Sequence, residues 1–438
     1  MTYKIGLDIG TTATKACAFN GAGEMIGIIE RDYELLHPEP GAAEQQPAAV
    51  FSAAEEALTE LVKQTEGKPA SVGLSCPMHS LLLLDKNYAP LGNVITWADA
   101  RPQDAMKGFT DQEGYDLHEL TGTPVHPMSP LVKLCWLANG QPGQLQTATY
   151  ISDLKSALVL RWTESGFLLD EQLASATGLM NLETSQWASV ALEKAGIRKE
   201  QLPQIKPAAT KLKWRESVAK KLGLTGVPLY LGGSDGVLAN LGSGIMDCGD
   251  IALSIGTSGA LRTTHTKARI DARLGLFNYK MKEGLYVIGG PTNNGGKVLE
   301  YWQNLLAAHF EDVGAFIDGA VSVASGDSPT FGPWLYGERA PLWDATATAS
   351  LTGLMGHHQP AHIARAVLDG VTDNLINILH NLEAVVGPAD RILGSGGFTK
   401  SPEWTKLIAE RSGRQVVIAD AAQASAYGAA LVSTVLQP

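Results

Sequence analysis

Cysteine is scarce in this 438-residue chain, and the four present, Cys17, Cys76, Cys135 and Cys248, stand far apart. They form no Cys-x-x-Cys pair and have no histidine at zinc spacing, so neither a disulfide framework nor a structural zinc site is expected. Reduced, buried thiols are the expectation. Long apolar runs are lacking as well: none approaches the ~18 residues of a membrane span. The N-terminus shows no basic stretch followed by an apolar core and a cleavage site. The cytoplasm is therefore the expected compartment, with no membrane partner. Positive charge is in deficit, with 34 Lys and Arg against 45 Asp and Glu and a formal net charge of −11. A general nucleic-acid binder wants a basic face, which sets that class aside. If the substrates are anionic, cations must be concentrated locally, by Mg²⁺ or by a few placed Lys and Arg.

What the chain does have is glycine, 47 residues of it, which favours tight turns and close backbone approaches. Its length favours two or more domains. Strand-like alternation runs over Tyr3 to Ile9, Ala13 to Phe19 and Met25 to Ile29, a β-meander. An amphipathic helix is expected over Ala48 to Val62, and a further strand pair opens at Val72 to Leu74 and closes near Ile95-Thr96. Leu7-Asp8-Ile9-Gly10-Thr11-Thr12 returns as Leu253-Ser254-Ile255-Gly256-Thr257-Ser258, each copy a strand, a Gly-Thr turn and a strand. A repeat at the start of each half implies duplicated domains, 1–246 and 247–438, with the boundary near Asp247-Cys248-Gly249. The second half also carries a long helix from Pro360 to Gly387, a short strand at Arg391-Ile392-Leu393, a Gly-rich turn, and helices near Pro402–Ser412 and Ala424–Leu436.

The chemistry concentrates in the turns. A Gly-Thr turn between strands offers backbone N–H groups and hydroxyls to an anion, phosphate in particular. Asp8, at the strand end, can hold Mg²⁺ directly or through water, and Lys15 can neutralise phosphate charge. Read alone, Gly10-Thr11-Thr12 is an ordinary hairpin turn. Paired with Gly256-Thr257-Ser258, it can grip a nucleotide from both sides. Gly394 to Thr399, a strand running into a Gly-rich turn, suits close approach of adenine or ribose. No Gly-Lys-Ser/Thr follows, so this is not a Walker loop. Asp235, in Gly232-Gly233-Ser234-Asp235-Gly236 after the apolar run Val227 to Leu231, is placed either to accept a hydroxyl proton or to cap a helix.

These residues together resemble the FGGY carbohydrate kinases over essentially the whole chain. The resemblance rests on Asp8 to Lys15, Ser234-Asp235-Gly236, Ser254 to Gly259 and Asn293-Asn294-Gly295-Gly296. It extends through Gly337-Glu338-Arg339-Ala340-Pro341 and the turn at Gly394. Ala349 to Leu354, with His362 to Asp369, fits the family's C-terminal signature. Within the family the chain is most similar to the gluconokinases. Met78-His79-Ser80, Thr96 to Arg101, Gly122 to Pro130 and Ala174 to Asn181 carry that similarity, although Met-His also occurs in xylulokinases.

The resemblance implies an α/β fold of two ribonuclease-H-like, actin-type ATPase domains around a central nucleotide and substrate cleft. It implies ATP and Mg²⁺ as cofactors and a small sugar or sugar acid as the other substrate. It leaves a homodimer open. Asp235 would be the catalytic base and Asp8 the Mg²⁺-side carboxylate. Met78, His79, Trp97, Arg101 and Lys155 would contact the acceptor. Gly10, Thr11, Thr12, Lys15, Gly256, Thr257, Ser258, Asn294, Gly396, Gly397 and Thr399 would meet the nucleotide. Gluconate carries a carboxylate and so needs one cation, for which Arg101, Lys155 and Lys133 are candidates with His126 behind them. Two departures stand out: a shortened stretch between about Tyr301 and Pro333, and altered neighbours around Lys155 in Ser152-Asp153-Leu154-Lys155-Ser156. The expected reaction is transfer of the ATP γ-phosphoryl to a terminal hydroxyl of gluconate. The rivals are a kinase for xylulose or another sugar, and an actin-like ATPase switch, which has no need of the polar segments 78–80 and 122–130.

Overall fold

Side chains two residues apart point to the same face of a strand, so alternating runs bury one face and pair edge to edge. The three opening runs do so as β1 (Thr2–Ile9), β2 (Ala13–Phe19) and β3 (Met25–Asp32), an antiparallel meander. The computed structural model describes residues 2–140, 142–246, 249–419 and 423–436. Helix α1 (Pro47–Gln64) starts with a proline, whose missing N–H costs nothing in the first turn. It sends Val50, Ala54, Leu58 and Leu61 into a core shared with Ile5, Leu7 and Leu74. β4 (Lys68–Cys76) follows, then α2 (Leu154–Trp162), β5 (Lys211–Leu212), β6 (Leu229–Ser234) and α3 (Asp235–Gly242). The first sheet has the order β5-β6-β4-β1-β2-β3.

One expectation fails here. Val72 and Leu74 do not pair with the segment near Ile95; they lie parallel to Ile5 and Leu7 of β1. The end of β4 is buried on both faces and takes a central place, whereas Val94 and Ile95 pair with Gln45 and Glu44 in a small separate sheet.

The second half repeats the plan with β7 (Asp250–Ile255), β8 (Gly259–His265), β9 (Phe277–Lys282), β10 (Leu285–Thr292), β11 (Arg391–Ser395) and β12 (Gln415–Ile418), in the order β9-β10-β8-β7-β11-β12. The runs β4-β1-β2-β3 and β11-β7-β8-β10 share strand directions: one parallel pairing, then two antiparallel ones. The copies differ where β9, next in the chain after β8, goes to the sheet edge. Helices α4 (Gly296–Leu305), α5 (Pro360–Val386) and α6 (Pro402–Ser412) cover this sheet. On α5, Val367, Val371, Leu375, Ile378 and Leu382 are buried, as the apolar spacing predicts, while Ile363 is only half-buried.

The last helix, α7 (Ala424–Val435), crosses back onto the first sheet. Glycine makes that approach feasible: a Cβ at Gly6 would lie 1.7 Å from the Ala426 carbonyl oxygen, and one at Gly73 2.0 Å from that of Ala429. The chain's end therefore ties the two halves together. The expected boundary near Asp247-Cys248-Gly249 falls largely on residues 247 and 248, outside the described residues. Cys17, Cys76 and Cys135 are buried free thiols, and Cys248 lies outside the described residues. No described helix is long and apolar enough to cross a membrane.

Candidate active site

The repeat brings two equivalent strand ends together with matching side-chain partners. In the first copy Asp8 lies beside Ser75 of β4, whose hydroxyl donates to Asp8 Oδ1 at 2.6 Å. In the second, Ser254 lies beside Ser395 of β11, with their hydroxyls 2.6 Å apart. The turns that follow have their carbonyls tied back. Gln45 Nε2 donates to Gly10 O and Thr11 O at 3.0 and 2.9 Å, and Tyr33 Oη donates to Gly10 O at 2.7 Å. Gly296 N at the start of α4 donates to Gly256 O at 2.7 Å.

Between the halves lies a cavity of about 390 Å³, lined by Thr11, Met78, His79, Trp97 and Asp235 from one side. Gly256, Thr257, Ser258, Arg262, Tyr279 and Arg339 line it from the other. A second cavity of about 300 Å³ is lined by Asp8, Asn240, Ser254, Arg262, Leu393, Ser395 and Gln423 to Ser425. The first holds the acceptor candidates Met78, His79, Trp97 and Asp235 and is called the acceptor cavity below. The second runs past Asp8 between the two strand ends; it is called the nucleotide cavity below, after the expectation from sequence.

Asp235 is the first residue of α3, and the capping question resolves to its neighbour. Ser234 is the N-cap: its Oγ accepts from Val237 N at 3.3 Å. The Asp235 carboxylate is left for the cavity, with Oδ1 accepting from Gly236 N at 2.7 Å. Burial and the nearby Asp8 charge push its pKa up to about 6, against the pull of the Gly236 N–H and Arg262. A carboxylate tuned there is still ionised at neutral pH and is basic enough to take a proton. Burial also raises the Asp8 pKa, opposed by the Ser75 hydroxyl and Lys15.

His79 occupies a left-handed backbone conformation, φ 66°, of the kind held only where surrounding structure demands it. Its Nδ1 lies 2.8 Å from Ala176 O, so Nδ1 carries the proton and Nε2 is an acceptor, 3.5 Å from Tyr279 Oη. Burial and the Lys133 charge hold its pKa down near 3, so the ring is neutral. Trp97 Nε1 donates to Thr11 Oγ1 at 3.1 Å, linking the first turn to the acceptor cavity. Arg339 lies over the Trp97 ring, 5.5 Å from its centroid.

Of the candidate cations from sequence, none lines this cavity. Arg101 is bidentate on buried Asp99, at 3.0 and 2.6 Å, and also holds Glu39 and Glu44 at 2.8 and 2.5 Å. Lys155 is fully buried on Asp170 and on Gly233 O. Lys133 is equally buried and donates to the carbonyls of His79 and Thr96. It thus fixes the strained His79 backbone from behind. His126 is buried near Arg339: its Nδ1 accepts from Met128 N at 3.2 Å, and its Nε2 has no partner.

The nucleotide candidates divide similarly. Thr11, Gly256, Thr257 and Ser258 line the acceptor cavity. Gly10 and Thr12 complete the first turn, while Lys15 reaches Glu30 at 3.4 Å. Asn294 is buried, donating to Gly337 O at 2.7 Å and fixing the loop that carries Arg339. Gly396, Gly397 and Thr399 directly follow Ser395, and the Thr399 hydroxyl donates to Gly396 O. Sequence reading missed Arg262 as a candidate and quoted Arg339 only within a motif. Arg262 sits six residues beyond Gly256 on the strand leaving the second turn. That position, four residues past the second Gly-Thr turn and in the middle of the strand that leaves it, was a legible cue.

Models of the FGGY family of carbohydrate kinases match residues 3–242 with the N-terminal domain and residues 251–436 with the C-terminal domain. The gluconokinase of Bacillus licheniformis is 35% identical, with 98% of this chain and 87% of that protein covered. The xylulose kinase of Lactococcus lactis subsp. lactis is 26% identical, covering 99% and 87%. Among solved structures, a gluconate kinase from Lactobacillus acidophilus superposes with a TM-score of 0.94 at 33% identity, covering 99% of this chain and 89% of that one. A ligand-bound xylulose kinase from the same organism does so with 0.95 at 33%, covering 100% and 89%.

Proposed function

We propose, from the premise that this chain belongs to the FGGY family of carbohydrate kinases, that its acceptor is D-gluconate and its product 6-phospho-D-gluconate. One observation carries the choice of an acid. Two buried donors have no acceptor, Arg339 Nε and His126 Nε2, and the Arg339 charge is felt at His126. Because His126 Nδ1 accepts from Met128, its Nε2 must carry the proton. An orphaned buried donor costs about 1–3 kcal/mol, and a carboxylate in the cavity would satisfy the one on Arg339, which lines it. Arg339 faces the cavity over Trp97, whereas it is Arg262 that faces Asp235. An open-chain sugar acid then places its carboxylate by Arg339 and a terminal hydroxyl by Asp235. The greater identity to the Bacillus licheniformis gluconokinase, 35%, than to the Lactococcus lactis xylulose kinase, 26%, supports the same reading, whereas the two Lactobacillus acidophilus structures are equally identical.

In the proposed reaction Asp235 accepts the hydroxyl proton as that oxygen attacks the γ-phosphorus of ATP. His79 Nε2 accepts from a neighbouring hydroxyl of the acceptor and so orients the chain. The two Gly-Thr turns hold the phosphates through their N–H groups. Asp8 fits Mg²⁺, directly or through water, because its carboxylate lines the nucleotide cavity and an adjacent cation relieves the cost of its burial. When bound, that ion supplies charge neutralisation on the phosphates. Both halves line the acceptor cavity, so their closure excludes water and protects ATP from hydrolysis.

The likeness to a xylulose kinase structure favours a ketose as the second reading. Measuring ADP release with gluconate, xylulose, ribulose and glycerol separates the two. Gluconate should give the highest kcat/KM. A neutral acceptor ahead by about tenfold or more would overturn the assignment.

A further inference from the structure

The acceptor and nucleotide cavities have two lining residues in common, Ser254 and Arg262. The two cavities therefore adjoin at these residues. Arg262 stands on β8, in register with Ala252 of β7. Its guanidinium reaches the first turn of α3: a Cβ on Gly236 would lie 3.9 Å from Arg262 Nε. Its charge faces Asp235 and Tyr279. Among the described residues lining the nucleotide cavity, Arg262 is the one basic side chain. Lys15, the cation expected at the first turn, does not line this cavity and pairs with Glu30.

We propose that Arg262 is a catalytic residue whose guanidinium contacts the γ-phosphoryl group as it crosses between the cavities and stabilises the charge on its peripheral oxygens. The P–O bond to the β-phosphate bridging oxygen breaks and ADP keeps the electron pair. The acceptor oxygen forms the new P–O bond, and its proton goes to Asp235. Through this step charge spreads over three oxygens, which a planar fork of N–H donors matches better than an ammonium. The role concerns the phosphoryl group and holds for whichever sugar the enzyme takes.

The test compares full-length wild type, Arg262→Met and Arg262→Lys. Steady-state kinetics with MgATP and gluconate are measured beside thermal melting with ADP alone and with ADP, aluminium fluoride, Mg²⁺ and gluconate. Arg262→Met should lower kcat by about 10²–10³ with little change in either KM. It should keep the stabilisation by ADP but lose the extra stabilisation by fluoride. Arg262→Lys should recover only part of both. Retained kcat and fluoride stabilisation in the Met variant would overturn the proposal. So would a raised gluconate KM at unchanged kcat, which would make Arg262 a carboxylate reader. Full rescue by Lys would also overturn it, leaving only a charge that keeps Asp235 ionised. If the Met variant shows no cooperative melt, the Lys variant decides, since it must lose both kcat and fluoride stabilisation. Should wild type ignore gluconate, the acceptor assignment has failed, and the same comparison is run with the best acceptor of the panel.

Discussion

Replacing Asp235 with Asn isolates one proton-accepting group. The side chains are nearly isosteric, and the amide oxygen can keep the 2.7 Å bond from Gly236 N. Helix α3 keeps its cap because Ser234, not Asp235, supplies it. General-base catalysis contributes ~10²–10⁴ in rate, about 3–5 kcal/mol of barrier, and kcat should fall within that range. The pH dependence follows from the carboxyl pKa near 6. Wild-type kcat/KM should decline about tenfold per pH unit below it as the base becomes protonated, and the Asn variant should not show that limb. Stability should move the other way. A carboxyl whose pKa is higher folded than unfolded holds more protons in the folded state between about pH 4 and 6, so its contribution to stability falls as pH rises through that window. At about pH 7 the buried charge is a net cost, with an upper bound of about 3 kcal/mol for a shift of roughly two units. Asn removes it, so the variant should melt at or above the wild-type temperature while binding ATP as before. The assays are coupled ADP release from about pH 5 to 8, calorimetry with ATP, and thermal melting. A well-folded Asn variant keeping more than about a tenth of wild-type kcat lies outside the general-base range and refutes the reasoning.

Arg339→Gln should raise KM for gluconate far more than for a neutral polyol; equal effects would remove Arg339 as the carboxylate partner. A Cβ on Gly256 meets no protein atom within 4 Å, so Gly256→Val should fold normally yet lose ATP affinity through the side chain it projects at the phosphates. Unchanged calorimetric affinity would refute the second-turn assignment. Arg101→Leu leaves Asp99, Glu39 and Glu44 without their shared cation and should cost about 2–4 kcal/mol of stability, read by denaturant titration, with gluconate KM little changed. A KM rise of about tenfold in a protein of undiminished stability would return Arg101 to the site.

Local chemistry is legible in a sequence when a short segment carries it. The opening meander, α1, α5 and the two Gly-Thr turns follow from periodicity, glycine and proline, because a strand or helix shows its buried face within a few residues. Asp8 and Asp235 were legible for the same reason: each is a carboxylate placed where a strand meets a glycine-bearing turn. The six-residue repeat, its copies 246 positions apart, marked which two strand ends are equivalent, and the structure places Asp8–Ser75 and Ser254–Ser395 at them.

What the sequence left open is what long-range contacts decide. Three cations were equal candidates for the acceptor, because a basic residue near a motif looks alike whether it faces a cavity or a carboxylate. Asp99, Glu39 and Glu44 reach Arg101 from separate segments, and Asp170 reaches Lys155 across α2 and the chain beyond it. Arg262 and Arg339 enter the cleft from strands and loops of the other half. Nor does the pattern of α7 say that it packs on the first sheet, since an alanine-rich helix fits any surface that glycine has cleared; Gly6 and Gly73, hundreds of residues away, supply it. Sequence by itself determined the family, the two-fold α/β plan and the positions of the Gly-Thr turns and of Asp8 and Asp235 at strand ends. Tertiary structure alone decided which cations are free to meet a substrate, because that depends on which carboxylates the fold brings to the others first.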